Sequence, residues 1–135
     1  MKFHESMNDE QLHAMSSLAL AHVGDGVYEL MVRSMLARRG ELTHGALHRR
    51  TVGYVSAVAQ AKAAAHVLPG LGAEELAVYK RARNTRAHTN PAGCTAAQYH
   101  AATALEALFG WLWLKGETGR LEELFEQCME GIDAP

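Results

Sequence analysis

Asp25 and Glu106 are carboxylates in settings that call for a chemical reason. Asp25 lies between Gly24 and Gly26 inside LALAHVGDGVYELMVRSML (residues 18–36), a stretch otherwise patterned as one continuous helix. A helix-interior Gly costs about 1 kcal/mol relative to Ala, and Asp is also a poor helix former. Together they set ~2 kcal/mol against a domain stability of only about 5–15 kcal/mol. Glu106 lies in YHAATALEALFGWLWLKG, where only Thr103 and Glu106 carry polar side chains from Ala101 to Leu114. A lone Glu in such a helix needs a cation, a metal ion or a shifted pKa; a salt bridge to a buried Arg would also satisfy it. If the two helices meet, their carboxylate oxygens suit Mg2+, which keeps several waters and often binds through one or two carboxylates plus phosphate.

On a helical wheel centred on Asp25, Leu20, Val23, Val27, Leu30 and Met31 gather on the opposite side and read as the core stripe. The Asp25 face itself is mixed, with Leu18, Ala21, His22, Tyr28, Glu29 and Val32. A helix apolar on both sides is covered on both, by its own domain or by a partner chain. Gly24 and Gly26 flank Asp25 and thin the helix where another backbone or a ligand could approach.

Phosphate-binding side chains are clustered as well. YKRARNTRAHT (79–89) carries Lys80, Arg81, Arg83, Asn84 and Arg86, and LHRRTVGY (47–54) adds His48, Arg49 and Arg50. The planar guanidinium fork matches phosphate. Only Tyr54 and Tyr79 stand nearby, too few aromatics for a base-stacking platform, so backbone recognition of a duplex fits better than reading of single strands. Net charge is −2, yet residues 31–90 hold ten Lys/Arg against three Glu, while the rest holds three against twelve Asp/Glu. Such asymmetry suits a polyanion ligand; solvated helix faces would produce it too. His44 and His48 are four residues apart, but no HExxH or Cys/His cluster completes a zinc site. Nucleophile elbows and phosphate-binding glycine loops are absent.

The elements that must position these groups are helical nearly throughout. Alanine is abundant, and no stretch alternates long enough to read as a strand. Helices are expected near 8–14, 16–38, 43–49, 51–66, 73–85, 95–115 and 118–131, giving an all-α domain of six or seven helices. LPGLG (68–72), NTRAHTNPAGC (84–94) and KGETG (115–119) are expected connections. A chain of 135 residues, 48% hydrophobic, fits a single domain over 1–135. Two cysteines, Cys94 and Cys128, are too few for a disulfide framework. With no apolar stretch like that of a signal peptide or a membrane span, a cytoplasmic protein without membrane partners is expected.

Four blocks, LALAHVGDGVYELMVR, LHRRTVGYVSAVAQAK, RARNTRAHTN and ATALEALFGWLWL, resemble in order and spacing those of Mini-ribonuclease III. That family is the bare catalytic domain of ribonuclease III, without its double-stranded RNA-binding domain, and the resemblance spans residues 12–130. It implies the all-α ribonuclease III fold, a homodimer with two active sites along one valley, and Mg2+-dependent hydrolysis of double-stranded RNA to 5′-phosphate and 3′-hydroxyl ends, with Mn2+ as a substitute. It further implies the precursor of large-subunit (23S) ribosomal RNA as substrate and a large-subunit ribosomal protein as a candidate partner. Asp25 matches the family's GD signature and Glu106 its EAL signature, so both are expected to be catalytic and to hold metal. Lys80, Arg81, Arg83, Asn84 and Arg86 match its RNA-contacting region, with Arg49 and Arg50 as further candidates.

Full-length ribonuclease III enzymes carry a Glu where this chain has Ala21 and an Asp where it has Thr103, so four carboxylates per site become two. Mini-ribonuclease III shares that reduction. Glu29, on the Asp25 face, and Thr103 are the residues left to assist around the metal. The competing expectations are a non-catalytic double-stranded RNA binder on the same fold, acting in ribosome assembly, and a helical protein-interaction module.

Overall fold

The computed structural model describes residues 1–85 and 91–135. Among them run seven α-helices: α1 (Asp9–His13), α2 (Ser17–Arg38), α3 (His44–Val55), α4 (Ala57–Val67), α5 (Ala73–Arg83), α6 (Ala96–Lys115) and α7 (Thr118–Asp133). A 3-10 turn, Leu68–Gly70, follows α4. No strand occurs among the described residues, so the all-α expectation holds.

Short polar side chains set the helix starts. Asn8, Ser16, Thr43, Ser56 and Thr95 each accept a hydrogen bond from a first-turn backbone N–H. At Thr95 the box closes reciprocally, because Gln98 accepts from the Thr95 N–H at 2.9 Å. Gly116, at φ 87°, ends α6 in the left-handed region that favours glycine. The sequence placed the boundary between the third and fourth helices near residue 50; it falls instead at Ser56. There the backbone turns extended (φ −61°, ψ 153°), ending α3, while the Ser56 hydroxyl caps α4. Thr51 stays inside α3, its hydroxyl donating to Leu47 O at 2.7 Å.

Helix α6 is the central strut, buried at Ala102, Ala104, Leu105, Ala107, Leu108, Phe109, Gly110 and Leu112. Helix α2 crosses it so closely that side chains are excluded. A Cβ on Gly24 would lie 1.6 Å from Glu106 O, and one on Gly110 2.0 Å from Leu20 O. Backbone meets backbone at this crossing, and both glycines are required there. The core of α2 consequently runs along Leu20, Ala21, Gly24, Tyr28, Val32 and Leu36. This corrects the wheel: of Leu20, Val23, Val27, Leu30 and Met31, only Leu20 is buried, and Leu30 is 56% exposed. Tyr28 is fully buried, edge-on to Phe109 with ring centroids 5.1 Å apart. The alanine-rich α4 packs Ala59, Ala63, Ala64 and Val67 between α6 and α7, and small residues permit the close approach. The N-terminal segment straps the far end of α6, with Met7 N–H donating to Leu114 O at 2.8 Å.

Candidate active site

The Gly24–Gly110 crossing has a direct chemical consequence. Asp25 follows Gly24 on α2, and Glu106 precedes Gly110 by one turn on α6, so packing the glycines together brings the two carboxyls within hydrogen-bonding reach. Asp25 is exposed and Glu106 half-buried. Burial first, then the hydrogen bond and charge of Asp25, and least the charge of Glu29 raise the Glu106 carboxyl from its ordinary 4.5, Gln60 opposing them, to about 8. The salt bridge to a buried Arg does not form: among the described residues Glu106 has no ion pair.

Glu106 lines a cleft of about 340 Å³ whose walls come from three elements. Helix α6 gives Tyr99, Thr103 and Glu106; the α3–α4 junction gives Ser56 and Gln60; the segment before α6 gives Cys94. Thr103 lines the same cleft as Glu106. Glu29 stands outside this cleft, in a neighbouring groove with His44 and His48, and pairs with Arg33 at 3.3 Å. Ala21, at a position where longer relatives carry an acid, is buried against the core.

Sequence reasoning missed Gln60. It is 3% exposed, and its Nε2 has no hydrogen-bond partner among the described residues. An unpartnered buried amide costs roughly 1–3 kcal/mol. Its one signal in the sequence was a polar residue inside AVAQAKAAAHV. Cys94, at the cleft lip, and Cys128, whose thiol burial pushes up to about 12, are both free.

Among the described residues none of the candidate phosphate binders lines the cleft, and Arg81 lines a separate groove with Leu20, Glu74 and Trp111. Lys80, Arg81 and Arg83 form the last turn of α5 and Asn84 its C-cap, where cations also complement the helix dipole. Lys80, Arg81 and Asn84 are exposed, Arg83 half-buried with its Nε 3.5 Å from Asn84 Oδ1. Arg86 lies outside the described residues. Arg49 and Arg50 are exposed on α3, which leads into the cleft at Ser56, and Arg50 is 3.9 Å from Glu41. His44 and His48 stack with ring centroids 6.3 Å apart and gather no third ligand among the described residues.

A second, larger groove of about 770 Å³ opens on the other side of α2, where Val23, Val27, Leu30 and Met31 face Phe125 of α7. Gly26 borders it, and a Cβ there would meet nothing within 4 Å. Gly24 and Gly26 therefore differ: the first serves the helix crossing, the second faces open space.

The donor set can be tested against a metal ion. Two carboxyl groups converge, one of them held well above its ordinary pKa by burial and by its neighbour Asp25, and their oxygens suit a hard divalent cation. No group of three or more His, Cys, Asp or Glu able to hold a metal occurs among the described residues, so water and phosphate oxygens would have to complete the shell. The fit is to a cation held jointly by protein and substrate.

An all-α scaffold that brings two carboxyls together at one helix crossing and carries exposed basic residues on α3 and α5 is compatible with a helical nuclease. A family model described as the ribonuclease III domain matches residues 18–117. The chain is 40% identical to the Mini-ribonuclease 3 of Symbiobacterium thermophilum, over 86% of this chain and 89% of that one. It is 42% identical to the Mini-ribonuclease 3 of Desulfitobacterium hafniense, over 84% and 71%. A crystal structure of a protein from Fusobacterium nucleatum superposes with a TM-score of 0.81 at 28% identity, covering 90% of this chain and 97% of that one. The chain therefore belongs to the ribonuclease III family of hydrolytic endoribonucleases, in its Mini-ribonuclease 3 group. Members of this family act on RNA and generally depend on a divalent metal. Among the described residues, no helix is long and apolar enough to cross a membrane.

Proposed function

We propose that the chain, acting over 1–135 as one cytoplasmic catalytic domain, is a Mg2+-dependent endoribonuclease that cuts double-stranded RNA. Its proposed substrate is the precursor of large-subunit (23S) ribosomal RNA, which a large-subunit ribosomal protein helps present. The observation that supports the reading is the convergence of Asp25 and Glu106, two carboxyls at one helix crossing with no ion pair to Glu106 among the described residues. A protein that only bound RNA would gain nothing from acid beside a phosphate backbone, which argues against the non-catalytic alternative.

Asp25 and Glu106 hold the metal, with Mn2+ as a substitute. When bound, the ion lowers the pKa of a water and offsets charge developing on the scissile phosphate. In the hydrolysis the water oxygen bonds to phosphorus, the bond from phosphorus to the ribose 3′-oxygen breaks, and that oxygen takes up a proton. The products are a 5′-phosphate and a 3′-hydroxyl. Lys80, Arg81, Arg83, Asn84 and Arg86, with Arg49 and Arg50, anchor the duplex by its phosphates; Thr103, in the cleft wall, would assist a bound metal through water, and Glu29, outside the cleft, would act only through its charge. A homodimer through the apolar face of α2 repeats the site across a two-fold axis, one site for each strand.

The test is a perfect RNA duplex incubated with Mg2+ and parent, Asp25→Asn or Glu106→Gln protein. Cleavage by the parent, lost by at least 10³-fold in folded variants that still retain the duplex in a gel shift, is the expected outcome on the scale of losing a group that stabilises the transition state. Variants that cut at parental rates would overturn the assignment of these carboxylates.

A further inference from the structure

Of the three buried polar side chains among the described residues, Ser17, Thr51 and Gln60, it is Gln60 that combines a place in the cleft wall with an unpartnered atom. Its neighbours on α4, Ala59, Ala63 and Ala64, show that the α4–α6 contact is otherwise built from small apolar groups. An amide in that contact is a burden unless it finds an acceptor. The charged acceptor sharing its cleft is Glu106. Gln60 lowers the pKa of that carboxyl, while its Nε2 has no hydrogen-bond partner among the described residues. A neutral donor has a property that Lys or Arg lacks: it orients a carboxylate without cancelling its charge, so the acid remains available to a cation.

We propose that Gln60 is a positioning residue of the active site, its Nε2 donating to the Glu106 carboxylate and leaving that group's other oxygen for the side shared with Asp25. The role of this bond in metal binding rests on the metal-holding function proposed for Glu106; the bond itself does not. It assigns α4, from which no catalytic residue was expected, the job of setting the rotation of Glu106, the half-buried member of the carboxylate pair.

Two measurements on the full-length protein test it. In the metal-free parent, the Gln60 side-chain amide signal, identified by nuclear magnetic resonance from its loss in Gln60→Met, should move in Glu106→Gln; an unmoved signal overturns the contact. Mn2+ titration of the RNA-free protein, followed by electron paramagnetic resonance, should show affinity weakened roughly 10–100-fold in Gln60→Met and Gln60→Glu. In the Glu106→Gln background Gln60→Met should weaken it no further. Cleavage by Gln60→Met should lose kcat by a similar factor with KM for the duplex unchanged. A folded Gln60→Met protein with parental Mn2+ affinity and kcat overturns the proposal. If that variant does not fold, Gln60→Glu takes its place in the titration. Should the parent itself take up no Mn2+, the metal reading of Glu106 fails alone, and the amide signal still decides the Gln60–Glu106 bond.

Discussion

Ionising Glu106 beside Asp25 costs folding free energy, and the sign of that cost fixes a pH dependence. The folded carboxyl titrates at about 8, against an ordinary 4.5. Between those values the folded chain holds a proton that the unfolded chain has released, so stability falls as pH rises through the window. Glu106→Gln should therefore melt higher than the parent at pH 8–9 in the absence of metal, by on the order of a few kcal/mol. The two should converge below about pH 4.5, where both states are protonated. Thermal melts across pH measure this, and a parent whose stability is flat from pH 5 to 9 would contradict it. Both carboxylates were legible in the sequence because each breaks a local rule, an acid between glycines and an acid in an apolar helix. Gln60 was not legible, because a Gln in an alanine-rich helix breaks no rule. Its meaning appears only when α4 is packed on α6 and its Nε2 is left without a partner.

At the scale of elements, the pair exists because α2 and α6 touch through glycine. Caps, breakers and apolar periodicity located nearly every helix in the sequence, since those signals are local. The wheel of α2 failed for a reason that is not local. It assigned the core to the most apolar stripe, whereas the core is taken by the face that lets α6 approach, Leu20, Gly24, Tyr28 and Val32 included. The Ser56 boundary was missed similarly, because VSAVAQ stays apolar across a helix junction that only the Ser56 cap marks. The two glycines around Asp25 can be told apart by substitution. Gly24→Ala places a Cβ 1.6 Å from the Glu106 carbonyl oxygen, and both neighbours are backbone, so the helices must separate. The expected loss is about 3 kcal/mol or more, a fall in Tm of roughly 10 °C, with cleavage lost as Asp25 and Glu106 part. Gly26→Ala meets no atom and gains about 1 kcal/mol of helix propensity in the monomer. Calorimetric scans of the two variants should move in opposite directions; equal losses would mean that the crossing is not the constraint.

For the whole molecule, the misassigned stripe becomes the informative surface. Val23, Val27, Leu30 and Met31 form an apolar face on α2 that the chain leaves open toward Phe125, bordered by a glycine that touches nothing. Apolar faces of this kind mark association, and this one lies on the same helix as Asp25, so a two-fold partner seated here, as proposed, would fix the spacing between two active sites. Position 30 separates assembly from folding, because Leu30 is 56% exposed and absent from the core cluster. Leu30→Glu should keep the parental circular dichroism spectrum, while putting four-carbon apolar contact area into carboxylate at the seam, twice over by symmetry. Sedimentation should then give the 14.7 kDa of one chain where the parent gives twice that mass. Coordinated scission of both strands should decline to nicking, because each monomer retains Asp25 and Glu106 but has lost the partner that cuts the opposite strand. A parent that sediments as one chain yet cuts both strands at once would remove this face from the mechanism and leave the groove to another ligand.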